Sequence, residues 1–394
     1  MRIADIEAFA LRAPFSTGPY WGARSWGASN VRAEAAAAPA FAHWEPAYEQ
    51  ELATTVVRVR TDGNHIGWGE AKAPVAPEVC RDFVHSLLRP VLIGKDPRDL
   101  APLWDAMYGR MALRNHRGGF LLEAISAIDI ALWDVVGRAS GVPIRTLLGG
   151  AYRDRIPLYA SGVVGLLSTD DQEERVAQEA RELAAAGFRA VKIAIGHGLE
   201  LDRRSLEIAR AAVPELPLLA DAAGRYDLAQ ARELLTAVEK ADLLLLEAPL
   251  PAELSSSYEH LARETRVPLA CDLLGPRWDW LDLLRRSGVG VVQPDVSRAG
   301  GLTESRRIAW LAEAFGVECM PHMSLSSVIH QAASVHFAAA LPRLRLMEFW
   351  TGSSALSNGT VATKLEIEDG SIVVPSGSGL GIEIDEAALL SYAC

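Results

Sequence analysis

The stretch LPLLADAAGRYDLAQARELLTAVEKADLLLLEAP, residues 216–249, holds two short apolar runs, each closed by a carboxylate, with an amphipathic helical segment between them. Strand, helix and strand within about 30 residues make one β/α unit, and strands joined by such a crossover lie parallel. The same texture runs outward on both sides. IPLYASG (156–162) and RAVKIAI (189–195) precede it; VPLACD (267–272), VGVVQPD (289–295), VECMPHM (317–323) and LRLMEF (344–349) follow. Further amphipathic segments separate these runs, such as 172–186, where Val176, Ala180 and Leu183 share a face and Gly187 ends the helix. Eight strands alternating with helices predict an α/β fold whose parallel sheet closes into a barrel over residues 141–350.

Buried parallel strands read as continuous apolar runs. From the second onward these runs finish instead on an ionisable residue: Lys192, Asp221, Glu247, Asp272, Asp295, His322 and Glu348, at intervals of 23 to 29 residues. In a closed barrel those ends converge on one face, where active sites of this architecture lie. One polar strand end is a solvated rim group; seven in register point to a site. Asp221, Glu247 and Asp272 come from successive strands, and three carboxylates that close do not all stay ionised without a cation. Hard oxygen ligands on a rigid frame suit Mg²⁺. Lys192 offsets one of the three charges but cannot balance them all. Asp295 and His322 stand on the next two strands. A lone buried histidine is more often a satisfied core residue, but a carboxylate accepting from its ring makes it a general base near neutral pH. Glu348, on the far side, is expected to stay protonated and to donate a hydrogen bond to a developing oxyanion.

The N-terminal region has a different texture. IADIEAFAL (3–11) and TTVVRVRTDGNHIGWGEA (54–71) are strand-like, the latter split by Thr61-Asp62-Gly63-Asn64, a hairpin signal. Helical stretches follow at 77–89, 97–111 and 121–140, so residues 1–140 are expected to form an α+β capping domain. The tail, 351–394, returns to short strand-like pieces and is expected to rejoin it. A long insert at about 16–50 carries Tyr20, Trp21, Trp26, Trp44 and an alanine-rich stretch ending at Pro39. A connection this long without periodicity, and this aromatic, reads as a lid. Arg24, Trp21 and Trp44 within it, and Trp350 beneath it, are the candidate substrate-binding residues, with Arg24 able to pair with a distal carboxylate.

Composition narrows the function. The chain has 394 residues, 49% of them hydrophobic, enough for a large core. Its 50 Asp and Glu against 39 Lys and Arg, with no basic run, argue against a nucleic-acid partner. No stretch reaches the roughly 18 apolar residues of a membrane span. MRIADIEAFALRAPF (1–15) carries Asp5 and Glu7 where a secretory signal needs an apolar core. Cys80, Cys271, Cys319 and Cys394 show no CxxC spacing, so neither a zinc knuckle nor a disulfide framework is expected, and the setting reads as a reducing cytoplasm.

GWGEA (67–71), AISAIDIALWDVVGRASGVPIRTLLGG (124–150), GFRAVKIAIG (187–196), LLADA (218–222), LLLLEAP (243–249), QPDVSRAGGLTE (293–304), PHM (321–323) and MEF (347–349) carry a joint resemblance. Over nearly its whole length the chain resembles the enolase superfamily, specifically the mandelate racemase/muconate lactonizing enzyme-like proteins of the mandelate racemase subgroup. The C-terminal half is most similar to the galactarolactone cycloisomerase and acid-sugar dehydratase branch. The resemblance implies a modified TIM barrel, (β/α)7β, under an α+β capping domain. It implies Asp221, Glu247 and Asp272 as Mg²⁺ ligands, a His322–Asp295 dyad as general base or acid, and Glu348 as electrophilic partner. The implied step is removal of the proton α to a carboxylate through an enediolate that Mg²⁺ stabilises, with Lys192 and Glu348 assisting where negative charge develops. It also implies a small-molecule carboxylate as partner and a homo-oligomeric assembly.

Four positions depart from the subgroup pattern, one of them Asp272, which is shorter than the Glu of most mandelate racemase-like members though muconate lactonizing relatives use Asp there. The subgroup's second strand reads Lys-x-Lys, Lys-x-His or Lys-x-Arg, the later residue being a base that faces the dyad; here the run is Lys192-Ile193-Ala194. Asp-x-Asn on the third strand becomes Asp221-Ala222-Ala223, and Glu-Glu-Pro or Glu-Gln-Pro on the fourth becomes Glu247-Ala248-Pro249. A methyl group transfers no protons, so one recognisable base remains. Dehydration needs no more, if His322 first takes the α-proton and then, as an acid, helps the hydroxyl leave on the same face. The expected activity is therefore a hydro-lyase acting on an acid sugar or related α-hydroxy acid. An isomerase, either cycloisomerase or racemase/epimerase, is the alternative, and a catalytically reduced binding protein a further one.

Overall fold

The computed structural model describes residues 1–16, 20–27, 38–169, 171–362 and 364–394. Residues 17–19 and 28–37 of the expected lid, including most of its alanine-rich stretch, lie outside the described residues.

The N-terminal lobe is built on an antiparallel meander of β1 (Ile3–Ala13), β2 (Leu52–Thr61) and β3 (Ile66–Ala71). The β2–β3 turn falls on the Asp-Gly-Asn signal, with Asn64 at φ 60° and its N–H donating to the Thr61 carbonyl. On β3, Gly67 and Gly69 share one face because strand side chains alternate. A Cβ at either would lie about 2 Å from the Ala131 or Ala127 carbonyl of the helix Phe120–Ser140, so that helix can pack directly on bare backbone. The helix is buried along most of its length and stops at Gly141, whose φ of 68° is the left-handed conformation that ends helices.

The second sheet contains the eight runs read from the sequence: β4 (Arg155–Val164), β5 (Ala190–Ala194), β6 (Leu218–Asp221), β7 (Leu243–Glu247), β8 (Leu269–Cys271), β9 (Val291–Val292), β10 (Glu318–Cys319) and β11 (Met347–Trp350). Neighbours from β4 to β10 pair in parallel, and β11 pairs in parallel with β4. A helix lies between each strand and the next. Among the described residues no ladder joins β10 to β11, so the ring has one seam. The strands beside it are short because Pro294 and Pro321 follow β9 and β10 by two residues and offer no N–H to a ladder. Side chains bridge the seam instead: the Arg345 N–H and Nε donate to Glu318 at 2.6 Å each, and the Met323 N–H donates to Glu348 Oε2 at 3.0 Å.

The tail attaches to both lobes. β12 (Ile367–Glu368) and β13 (Ser371–Val373) form a hairpin that pairs antiparallel with the start of β4, on the barrel. Its last residues then reach the N-terminal lobe, where Arg12 N donates to the Tyr392 carbonyl and Cys394 N to the Ala10 carbonyl, each at 3.0 Å. No helix among the described residues is long and apolar enough to cross a membrane.

The lobes also meet through a buried acid. Asp129, on the helix Phe120–Ser140, accepts from Thr303 N at 2.9 Å at the N-terminus of the barrel helix Gly301–Ala314. A Cβ on Gly301, at φ 88°, would collide with that carboxylate. Burial raises the Asp129 carboxyl to about 7, against the opposing pull of Thr303 and Arg307. Above its unfolded value near 3.8 the unfolded chain releases this proton while the folded protein keeps it, so stability falls as pH rises from about 4 to about 7. Asp129→Asn removes that term. Thermal melts should show the variant gaining on the wild type between pH 5 and pH 7.5 by on the order of 2 kcal/mol. Parallel melting curves at the two pH values would contradict it.

Candidate active site

The strand ends meet on one face of the ring. Ala194, Asp221 and Glu247 stand side by side in the β5–β6–β7 register, with Lys192 one pleat deeper. Asp272 follows β8 by one residue, Asp295 and His322 follow β9 and β10 by three, and Glu348 lies within β11.

Lys192 is fully buried at the centre. Its Nζ lies 2.7 Å from Glu348 Oε1, 3.0 Å from Glu247 Oε2 and 3.5 Å from Asp221 Oδ2. Burial alone would discharge the ammonium, but Glu247 and Glu348 outweigh it and hold the pKa well above the usual lysine value. Glu348 responds in the opposite sense. Burial pushes it up, yet Lys192 and His322 bring it below the usual carboxylate range; its Oε1 is ion-paired with Lys192 and its Oε2 accepts from the Met323 N–H. This corrects the expectation of a protonated, hydrogen-bond-donating Glu348: the cation beside it was legible as Lys192, but its 2.7 Å approach was not. The donor available to a developing oxyanion on this side is Lys192.

The remaining carboxylates are crowded. Burial raises Asp221 to about 6 and Glu247 well above its ordinary value; Lys192 opposes both shifts and the neighbouring Asp272 adds to them. Ligand atoms of Glu247, Asp272 and His322 lie within 4.8 Å of one another, a group able to hold a metal ion. Asp221 faces the same centre from beside Lys192, its second oxygen held by the Ala223 N–H at 2.9 Å. Three oxygen donors that repel one another, Asp221 and Glu247 buried and Asp272 half-buried, with one lysine shared among Asp221, Glu247 and Glu348, fit a hard divalent cation.

Asp295 and His322 are joined by a 2.8 Å contact from Nδ1 to Oδ2, which leaves His322 Nε2 near Asp272 Oδ2 (3.6 Å) and Glu348 Oε2 (3.5 Å). Burial would raise Asp295, but His330, Lys72 and His322 together hold it well below the carboxylate range.

Of these groups Lys192, Asp221, Asp272 and His322 line a cavity of about 280 Å³, whose wall also includes Tyr20, Trp21, Trp26 and Tyr48 from the N-terminal lobe. The Trp21 ring centre is 5.8 Å from Lys192 Nζ, a cation–π arrangement. The structure does not bring the other three substrate-binding candidates to this wall. Arg24 is turned to Glu179 at 2.8 Å, on the barrel helix Glu173–Ala185. Trp44 is 46% exposed and packs on Phe41, and Trp350 is buried edge-on against Phe15 and Tyr20. Lys72, Ser324, Arg298 and Glu123 line the cavity without having been singled out in the sequence. For Lys72 there was a signal: it lies two residues after Glu70 in GWGEAK, hence on the same face of an extended chain.

Comparison with known proteins supports the same architecture. A family model described as enolase C-terminal domain-like matches residues 175–388, and one described as the mandelate racemase / muconate lactonizing enzyme N-terminal domain matches residues 33–149. A D-galactarolactone cycloisomerase of Agrobacterium fabrum is 32% identical over 353 residues, covering 86% of this chain and 91% of that one. An arabinonate dehydratase of Saccharolobus solfataricus is 30% identical, covering 88% and 92%. The crystal structure of 3,6-anhydro-D-galactonate cycloisomerase from Zobellia galactanivorans aligns over the full length of both chains with a TM-score of 0.83 at 28% identity. With a barrel whose strand ends carry a cluster of carboxylates, a capping lobe over its mouth and these matches along both lobes, the chain belongs to the mandelate racemase/muconate lactonizing enzyme family of the enolase superfamily.

Proposed function

We propose that the protein removes the proton α to the carboxylate of an acid sugar and carries the reaction on to loss of a β-hydroxyl, as a Mg²⁺-dependent dehydratase. The observation that carries this reading is the asymmetry of the site: His322 lines the cavity, while β5, on the other side of the ring, ends level with Asp221 on Ala194, which carries no group able to take a proton. With one base, the economical course is for His322 to take the α-proton and return it to the departing hydroxyl, which leaves as water. The enol that remains becomes a 2-keto acid.

Asp221, Glu247 and Asp272 would hold the metal, whose charge, when it is bound, offsets the charge that builds on the substrate carboxylate as the α-proton leaves. Lys192 donates toward the same oxygens, and Glu348, anionic, holds Lys192 in place. Asp295 holds the His322 ring at Nδ1, which leaves Nε2 as the atom turned to the substrate. The aromatic roof limits water at the reacting carbon.

The relatives named as cycloisomerases favour a second reading, in which removal of the α-proton leads to opening or closure of a ring with no atom lost, so that the product is an isomer of the substrate. Incubation with aldonic, aldaric and lactone substrates in D₂O separates the two. A dehydratase gives 2-keto acids lighter than their substrates by one water. A product of the same mass as its substrate, whether or not it forms a semicarbazone, rejects dehydration.

A further inference from the structure

Both oxygens of Asp295 are held from more than one direction. Oδ2 faces His322 Nδ1 at 2.8 Å and Lys72 Nζ at 3.3 Å; Oδ1 faces His330 Nε2 at 3.1 Å and accepts from Ser297 N at 2.8 Å. Lys72 belongs to the N-terminal lobe, one residue past β3, whereas the others belong to the barrel. Its ammonium also donates to Ser324 Oγ at 2.6 Å and lies 3.5 Å from His322 Nδ1, so it touches the loops after both β9 and β10. Its backbone N–H donates to the Ser297 carbonyl at 3.2 Å.

Glu70, on the same face two residues earlier, makes a second connection. It accepts from Ser327 N and His330 N and from the Ser327 hydroxyl, at the N-terminus of the barrel helix Val328–Ala339. A carboxylate is favoured at that position by the unpaired N–H groups of the first turn. The helix so anchored carries His330 to Asp295. Two alternate residues of one chain segment therefore reach the same carboxylate, one directly and one through a helix.

We propose that Lys72 is a positioning residue of the proton-transfer dyad: its ammonium fixes the Asp295 carboxylate against Ser324, and through Asp295 the His322 ring, so that the dyad is assembled by the docking of the capping lobe. The inference rests on the reading of His322 and Asp295 as the dyad. A lysine buried to this degree loses hydration that a methionine of similar length would not, so packing alone does not call for the charge. It lies on the dyad's side of the cavity and is no substitute for the base missing at Ala194.

The test uses the full chain with Mg²⁺ and compares Lys72→Met, Lys72→Gln, Lys72→Arg and His322→Asn. The first readout is the downfield proton resonance of the imidazole N–H shared between His322 and Asp295, identified by its loss in His322→Asn. The second is kcat and KM on whichever acid sugar of the panel is converted. In Lys72→Met the resonance should broaden or vanish and kcat should fall about 100-fold with KM changed less than about threefold, the cost expected of a mis-aimed catalytic group. Lys72→Arg should restore the resonance and at least about a tenth of kcat. Should Lys72→Met fail to fold, Lys72→Gln is judged by the same two readings. An unshifted resonance with kcat within about threefold of wild type overturns the proposal. If His322→Asn keeps its turnover, the dyad reading itself falls; if it is inactive while Lys72→Met is unimpaired, only the role of Lys72 does.

Discussion

His322→Asn is expected to fold normally and to lose turnover by about 10³-fold or more, together with exchange of the substrate α-proton in D₂O. Asparagine keeps a polar group of similar reach and can still meet Asp295, so the packing around it, buried in the wild type, changes little. What it cannot do is bind and release a proton. In a site with two opposed bases, losing one leaves exchange from the other face. Here the opposed strand end is Ala194, which offers no proton acceptor at that position, so exchange and turnover should fall together. Exchange that survives while dehydration stops would mean that another group takes the α-proton and that His322 acts only on the leaving hydroxyl.

That asymmetry was readable from the sequence, and the reason is geometric. In a parallel barrel the residue that ends a strand faces the mouth whatever its neighbours are, so Lys192, Asp221, Glu247, Asp272, Asp295, His322 and Glu348 could be assigned to one face from the positions of the apolar runs. Residues outside that register were not so constrained. Arg24, Trp44 and Trp350 looked like substrate contacts because they are large and near the mouth in sequence, but their directions are set by tertiary packing, against Glu179, Phe41 and Tyr20. Lys72 was missed for the complementary reason. It belongs to the other lobe: its spacing from Glu70 gives the face it shares, but not that this face crosses the domain interface to meet Asp295. Ionisation states were the least accessible. Glu348 is charged because of an ångström-scale approach by Lys192, which residue type and spacing do not encode. The seam between β10 and β11 has a local cause, since Pro294 and Pro321 are visible in the chain, but its bridging by Arg345 and Glu318 follows only from the fold.

Removing the cation should affect activity and stability together. With Mg²⁺ added, the wild type should melt higher, by the equivalent of roughly 2.7 kcal/mol at a concentration one hundred times Kd, because the ion binds the folded chain and not the unfolded one. EDTA should abolish both the rise and the turnover. Glu247→Gln should be insensitive to Mg²⁺ in the same melts and inactive, since it removes the carboxylate at the centre of the register between Asp221 and Asp272. Its metal-free melting point should not fall in proportion. Burial already opposes the charge on Glu247, and its repulsion with Asp221 and Asp272 is relieved when the charge is deleted, which offsets the loss of its 3.0 Å contact with Lys192. A site whose carboxylates were satisfied by Lys192 alone would behave oppositely: the wild type would ignore Mg²⁺, and Glu247→Gln, leaving a buried ammonium short of one partner, would melt well below it.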